Sequence, residues 1–175
     1  EEFVGKAIKG KRDKVEILTK FGLRWDTVSN QLHYENTKDN FGNTISIYRL
    51  GTKESVIKEC EDCLRRLDTD FIDLFQQHWP DNSTPVEETM EALEILKKQG
   101  KIRAGGVSNY SASQMAEAEK YFRLISNQVP YSMVSRNIEE ELVPYCIENK
   151  KAIICYSPMQ RGLLTGKITP GYKFG

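Results

Sequence analysis

Two residues of the types used in acid–base catalysis lie at the ends of strand-like segments. Lys20 closes the run VEILTK (15–20), and His78 follows the apolar run FIDLFQQ (71–77). Taken singly, each has an ordinary explanation, because most lysines are surface cations and many histidines are structural. If the fold brings the two strand ends together, the side chains shift each other's pKa and that of a hydroxyl group between them. The pair then indicates proton transfer.

Other chemistries find less support in the sequence. It contains no GxSxG motif for a nucleophile, no GxGxxG motif and no P-loop. A metal site is disfavoured because the second histidine, His33, lies in a polar insert. Cys60 and Cys63 form a CxxC, but both fall on the apolar stripe of a predicted helix. We therefore expect buried free thiols, which suit a cytoplasmic protein.

The composition indicates one globular domain over residues 1–175. Lys plus Arg and Asp plus Glu both number 25, so the net charge is zero. A balanced surface predicts neither a nucleic acid nor an anionic membrane as a partner, and no apolar run approaches the roughly 20 residues that span a bilayer. The sequence opens EEFVGKAIKG without Met and closes KITPGYKFG, so we expect a segment of a longer protein. The sequence does not indicate an oligomeric state.

Strand-like segments alternate with helical patterns along the chain. Strands are predicted at 15–20, 71–77, 101–107, 124–129 and 152–157. Helices are predicted at about 54–67, 111–122 and 138–149, and between a capping box at 84–87 and Gly100. Such alternation predicts a parallel sheet, because parallel neighbours need crossover connections. The pattern leaves two architectures open, a doubly wound open sheet or part of a (β/α)8 barrel.

A polar insert at 24–53 interrupts this rhythm. Within it, LHYEN (32–36) and TISIYRL (44–50) are predicted to pair as a hairpin around turn residues at 40–43. The insert emerges at the carboxyl end of a strand, where both architectures bind their ligands. It is either a surface loop or a part of the site.

The predicted strands share a change of character at their carboxyl ends, where apolar residues give way to hydrogen-bonding ones. These residues are Lys20, His78, Ser108, Asn109, Asn127, Gln128, Tyr156 and Ser157. Because the carboxyl ends of parallel strands meet at one edge of a sheet, we expect a polar site there, shared by Lys20 and His78.

Five motifs carry a resemblance to a known family. They are LTKFG (18–22), DFIDLFQQHWPD (70–81), GKIRAGGVSNYS (100–111), SNQVPYSM (126–133) and YSPMQRGLLTGK (156–167). Together they resemble the aldo-keto reductases, especially bacterial-type members with a long loop after the third strand. The resemblance covers the chain outside the insert and implies strands three to seven of a (β/α)8 barrel. It also implies reduction of a small carbonyl substrate by NADPH, bound without a Rossmann motif.

The resemblance assigns catalytic roles by position. Lys20 and His78 match the lysine and histidine of the family's Asp-Tyr-Lys-His tetrad, in which a tyrosine protonates the carbonyl oxygen as hydride arrives. Lys20 would lower the pKa of that tyrosine, and His78 would orient the carbonyl group. Asp73 matches a strand aspartate that we interpret as structural. The chain contains no DTAxxYG-like stretch, so the tyrosine and aspartate of the tetrad are expected upstream of it.

The resemblance also assigns binding roles. Ser108, Asn109 and Gln128 match residues that hydrogen-bond the nicotinamide carboxamide, and Tyr156 matches the aromatic residue that stacks on the ring. Trp79 matches a wall of the substrate pocket. Four residues match the segment along the cofactor pyrophosphate: Ser157, Met159, Gly162 and Lys167.

Two alternatives stand beside a carbonyl reductase. One is a protein that binds the nicotinamide cofactor without turnover and acts as a redox sensor or channel-associated subunit. The other is an open-sheet binding domain without reductase activity, which the five motifs disfavour.

Overall fold

The structure, a computed structural model, describes residues 1–169 and 171–172. The helices are α1 (Glu2–Ile8), α2 (Lys53–Leu67), α3 (Val86–Lys98), α4 (Ala112–Ala118) and α5 (Leu142–Glu148). The strands are β1 (Leu18–Phe21), β2 (Leu23–Arg24), β3 (Leu32–Lys38), β4 (Thr44–Arg49), β5 (Ile72–Gln77), β6 (Ile102–Ser108), β7 (Leu124–Pro130) and β8 (Ala152–Tyr156). Short 3-10 helices span Arg12–Lys14 and Gln160–Thr165. None of the helices in the described ranges is both long and apolar enough to cross a membrane.

The main sheet has the order β1-β5-β6-β7-β8, and all of its neighbours are parallel. The strands therefore lie side by side in the order in which the chain visits them. A doubly wound open sheet reverses its strand order at a switch point, whereas a (β/α)8 barrel does not. The observed order thus favours the barrel type over the open sheet.

The helices and the main sheet share one apolar core. Phe21 and Phe75 of neighbouring strands pack there with ring centroids 4.7 Å apart. The glycines Gly105 and Gly106 point to opposite faces, as adjacent strand residues must. A Cβ atom on Gly105 would lie 2.5 Å from the Phe122 ring in the core, and one on Gly106 would lie 2.5 Å from Ser126 Oγ on the other face.

The insert forms the predicted hairpin. Strands β3 and β4 pair antiparallel, and β2 extends this second sheet. The carboxylate of Asp39 closes the turn by accepting hydrogen bonds from the backbone N–H groups of Phe41 and Asn43, both at 2.8 Å. The prediction of LHYEN paired with TISIYRL is confirmed.

The two predicted capping boxes have different outcomes. Ser111 and Gln114 form the reciprocal bonds of a capping box at the start of α4. The box predicted at Thr84–Glu87 is wrong, because α3 begins at Val86 after Pro85 and has no side-chain cap. The hydroxyl of Thr84 donates to the carboxylate of Asp81 at 2.6 Å, a charge-assisted hydrogen bond.

Some predicted bounds also shift. The segment predicted at 15–20 is a strand from Leu18, and the helix predicted at 138–149 begins at Leu142. Cys60 and Cys63 are buried free thiols in the core stripe of α2, as expected, and burial raises the pKa of each thiol to about 12.

Candidate active site

Lys20 and His78 lie at the carboxyl ends of the adjacent strands β1 and β5. Lys20 pairs in register with Gln76, two residues before His78. The backbone N–H of His78 donates to the carbonyl oxygen of Phe21 at 2.9 Å and so continues the pairing past the end of β5. Both side chains are half-buried. The order of the strands therefore places an ammonium group and an imidazole at the same edge of the sheet.

The surroundings of this pair change its protonation. Burial lowers the pKa of Lys20 below its ordinary value. Burial first, and then the charge of Lys20 and the proximity of His33, lower the pKa of His78 to about 4. The imidazole of His78 is therefore neutral at physiological pH, with one N–H donor and one acceptor nitrogen.

A hydrogen-bond chain links the ends of three further strands to His78. The side-chain N–H groups of Asn109 donate to the carbonyl oxygen of His78 at 3.0 Å and to Ser108 Oγ at 3.1 Å. The hydroxyl of Tyr156 donates to Asn109 Oδ1 at 2.8 Å, and that of Ser108 donates to the carbonyl oxygen of Gln128 at 2.7 Å. Asn109 reaches these partners from the left-handed region, with φ of 62°.

These side chains retain the capacity to bind an amide. Gln128 Oε1 accepts a hydrogen bond from Gln76 at 3.2 Å, while Gln128 Nε2 has no acceptor among the described residues. Asn109 Oδ1 accepts only from Tyr156 within the described chain, and a carbonyl oxygen has a second lone pair. One free donor beside one acceptor complements a primary carboxamide, so the residues present fit a nicotinamide group.

The segment after β8 has an unusual backbone. Ser157, Gln160, Arg161 and Gly162 all have positive φ, between 47° and 99°. Successive N–H groups in such conformations often face an anion. Ser157, Met159 and Lys167 are exposed and Gly162 is half-buried, so the segment is open to a ligand.

The hairpin borders this edge of the sheet, next to Trp79. The ring of His33 lies 5.2 Å from the Trp79 ring, and the guanidinium of Arg49 lies 5.1 Å from its centroid. Burial, and after it Tyr34 on the hairpin, raises the pKa of Tyr156 at the end of β8. The sequence alone is compatible with the insert being either a surface loop or a part of the site, and it does not single out His33 or Arg49 as site residues. Neither residue lies in a motif that could have revealed it.

Two other polar strand residues do not face this site. Asn127 was expected beside Gln128, but strand alternation directs it into the helix-packed core, where its side chain donates to the carbonyl oxygen of Tyr110. Asp73 accepts hydrogen bonds from Arg12 and Arg103 at the amino end of the sheet. Its partners are those of a structural residue.

Comparison with known proteins identifies the family of the chain. The model of the Aldo/keto reductase family matches residues 1–175. The chain belongs to this family. Its parallel five-stranded sheet matches the (β/α)8 barrels of other aldo-keto reductases.

Several individual aldo-keto reductases align with nearly the whole chain. Aldo-keto reductase YhdN of Bacillus subtilis is 43% identical over 176 residues, which cover 99% of this chain and 48% of that protein. NADH-specific methylglyoxal reductase of Escherichia coli is 36% identical, over 98% of this chain and 52% of that protein. The chain thus spans about half the length of the curated relatives it matches.

Solved structures of aldo-keto reductases share the fold of this chain. Glycerol dehydrogenase AKR11B4 from Gluconobacter oxydans superposes with a TM-score of 0.86 at 36% identity, over 99% of this chain and 50% of that one. An aldo-keto reductase from Klebsiella pneumoniae in complex with NADPH superposes with a TM-score of 0.70 at 33% identity, over 93% of this chain and 50% of that one.

Proposed function

We propose that the protein containing this chain reduces aldehydes or ketones to alcohols with a nicotinamide cofactor. The observation that carries the proposal is the pair Lys20 and His78 at the ends of adjacent strands, with the charge of one lowering the pKa of the other. In this proposal the chain contributes strands three to seven of a (β/α)8 barrel, and residues 24–53 are the loop after the third strand.

The proposed roles follow from charge and position. The bound cofactor supplies hydride to the carbonyl carbon, and negative charge develops on the carbonyl oxygen. The neutral imidazole of His78 donates a hydrogen bond to that oxygen and orients it. The ammonium of Lys20 stabilises the ionised form of the family's tyrosine, which protonates the oxygen. Trp79, which is half-buried beside His78, forms a wall for the substrate.

The remaining site residues are proposed to hold the cofactor. Ser108, Asn109 and Gln128 bind the carboxamide, as the free donor of Gln128 and the acceptor of Asn109 support. The ring of Tyr156 stacks on the nicotinamide. The segment with Ser157, Met159, Gly162 and Lys167 follows the pyrophosphate, which its open, positive-φ backbone supports.

We propose NADP(H) as the cofactor. The Klebsiella pneumoniae structure contains NADPH, which supports this choice, whereas the Escherichia coli relative is named NADH-specific. The free thiols of Cys60 and Cys63 support a reducing compartment such as the cytoplasm.

A reduction assay tests the proposal on the full-length protein. With NADPH and 4-nitrobenzaldehyde, we expect saturable, aldehyde-dependent loss of NADPH absorbance. Lys20→Met should lower kcat by about a hundredfold, because it removes the charge that assists proton transfer. Quenching of tryptophan fluorescence by NADPH should remain.

Lys98→Met is the matched control, since Lys98 is exposed at the carboxyl end of α3, away from the site. It should leave kcat unchanged. Cofactor binding without turnover of any aldehyde or ketone would instead support a cofactor-binding sensor.

A further inference from the structure

We infer that Arg49 of the hairpin is a specificity-determining residue that binds a carboxylate on the substrate. The inference rests on the proposed function and specifies its substrate class, carbonyl compounds that carry a carboxylate group. It is carried by the position of Arg49 beside Trp79 and by the guanidinium N–H groups that no described residue accepts.

The backbone of Arg49 is fixed at the end of β4. Its N–H donates to the carbonyl oxygen of Gln31 at 2.8 Å, and its carbonyl oxygen accepts from Ser29 Oγ at 2.6 Å. It also pairs with Leu23 across the second sheet. A side chain on so constrained a backbone is held before a ligand arrives, which reduces the entropy lost on binding.

Two hydrogen bonds orient the guanidinium of Arg49 and leave some of its N–H donors without an acceptor among the described residues. Nε donates to His33 Nδ1 at 3.2 Å, and Nη1 donates to the carbonyl oxygen of Pro80 at 3.2 Å. Within the described residues, Nη2 has no acceptor and no ion pair joins Arg49 to a carboxylate. The adjacent carboxylate of Asp81 is already occupied, because it accepts from Gly51, Ser83 and Thr84. A half-buried arginine with unused donors suits a planar anion.

Two cations act on the histidines of this region. Lys20 lies at the mouth of the site, and its charge lowers the pKa of His78. Arg49 lowers the pKa of His33, after the larger effect of burial. A substrate that presents its carbonyl group to His78 and its carboxylate to Arg49 would meet favourable charge at both ends. The Trp79 ring, which lies beside the guanidinium of Arg49, suits an aromatic or aliphatic spacer.

A matched pair of substrates tests this inference on the full-length protein. We expect kcat/KM for 4-carboxybenzaldehyde to exceed that for its methyl ester, methyl 4-formylbenzoate. In Arg49→Met the preference for the carboxylate should fall by about tenfold or more, mainly through KM, because a charged hydrogen bond is lost. Arg49→Lys should restore part of the preference, since it keeps the charge but loses the planar fork.

Arg123→Met is the control for net charge, because Arg123 is exposed beside the amino end of β7. It should leave the preference unchanged. An equal preference for the carboxylate over the ester in the wild type and in Arg49→Met would overturn the inference. Reduction of the ester would still uphold the proposed function in that case.

If no turnover occurs, a binding measurement distinguishes the carboxylate site at Arg49 from the proposed reductase function. Titration with the product 4-(hydroxymethyl)benzoate, followed by tryptophan fluorescence, should give a dissociation constant about tenfold or more higher in Arg49→Met. Arg49-dependent binding without turnover would uphold the carboxylate site and overturn the proposed function. Binding that is independent of Arg49 would overturn the inference.

Discussion

His78 owes its neutral state to its neighbours. The largest effect is burial, which disfavours the imidazolium, and the charge of Lys20 and the proximity of His33 act in the same direction. A neutral imidazole donates a hydrogen bond without transferring its proton. The environment of His78 therefore suits a residue that orients a carbonyl group and leaves protonation to another group.

The protonation state of His78 can be measured directly. In an NMR titration of the full-length protein, the imidazole signals of His78 should stay constant through neutral pH and shift with a midpoint near 4. Because the folded-state pKa lies below the ordinary 6.5, the unfolded chain binds more protons between these values, so stability should fall as pH falls through this window. Lys20→Met should raise the midpoint.

The control for this titration is Lys98→Met, which removes a lysine charge far from the imidazole. It should leave the midpoint in place. A midpoint near 6.5 in the wild-type protein would show that neither burial nor Lys20 acts on His78.

At the scale of the elements, β6 makes close contacts on both of its faces. Gly105 faces Phe122 and Leu93 in the helix-packed core, and Gly106 faces Ser126, Gln76 and Leu74 on the other side. Each glycine lies where a Cβ atom would come within 2.5 Å of a neighbour. The adjacent glycines therefore allow close packing of helices on one face and of strand side chains on the other.

A double-mutant cycle tests the contact on the polar face. Gly106→Ala should lower the free energy of unfolding by about 1–3 kcal/mol, because the new methyl group overlaps Ser126 Oγ. Ser126→Ala alone should cost less, since it removes only a 3.3 Å hydrogen bond to Gln76. The double variant should recover most of the loss in urea unfolding. Strictly additive effects would mean that the side chains do not meet.

The sequence predicted the elements that carry strong local signals. The strands of the main sheet appear as apolar runs, and the hairpin turn as a cluster of Asp, Asn and Gly, so both could be located. The alternation of strands and helices predicted that Lys20 and His78 lie at the same edge of a parallel sheet. The motifs at the strand ends indicated the aldo-keto reductase family, which the match to the family model confirms.

Features that depend on tertiary contacts could not be predicted in this way. Thr84 has the sequence of a helix cap, but α3 begins after Pro85, and the hydroxyl of Thr84 donates to the carboxylate of Asp81. Asn127 and Gln128 are neighbours in sequence, yet the pleat sends them to opposite faces. The proximity of Arg49 and His33 to Trp79 depends on how the hairpin folds back over the sheet.

At the scale of the whole molecule, the described sheet has two edges without a partner strand. Among the described residues, β1 pairs only with β5, and β8 pairs only with β7. The helices pack on the face that contains Phe21 and Phe75. On the opposite face Leu18 of the edge strand is 47% exposed, whereas Leu74 and Gln76 of the next strand are buried. Unpaired edges of this kind are paired when a sheet closes into a barrel.

This arrangement predicts how the 175 residues behave when they are expressed alone. A chain of 20.1 kDa with two unpaired edges should associate through them, so size-exclusion chromatography should show aggregates, and urea unfolding should lack a cooperative transition. The full-length protein, with its edges paired, should unfold cooperatively under the same conditions. If the isolated chain elutes as a monomer and unfolds in one sharp transition, its own helix-packed core is sufficient for stability and the edges need no partner strands.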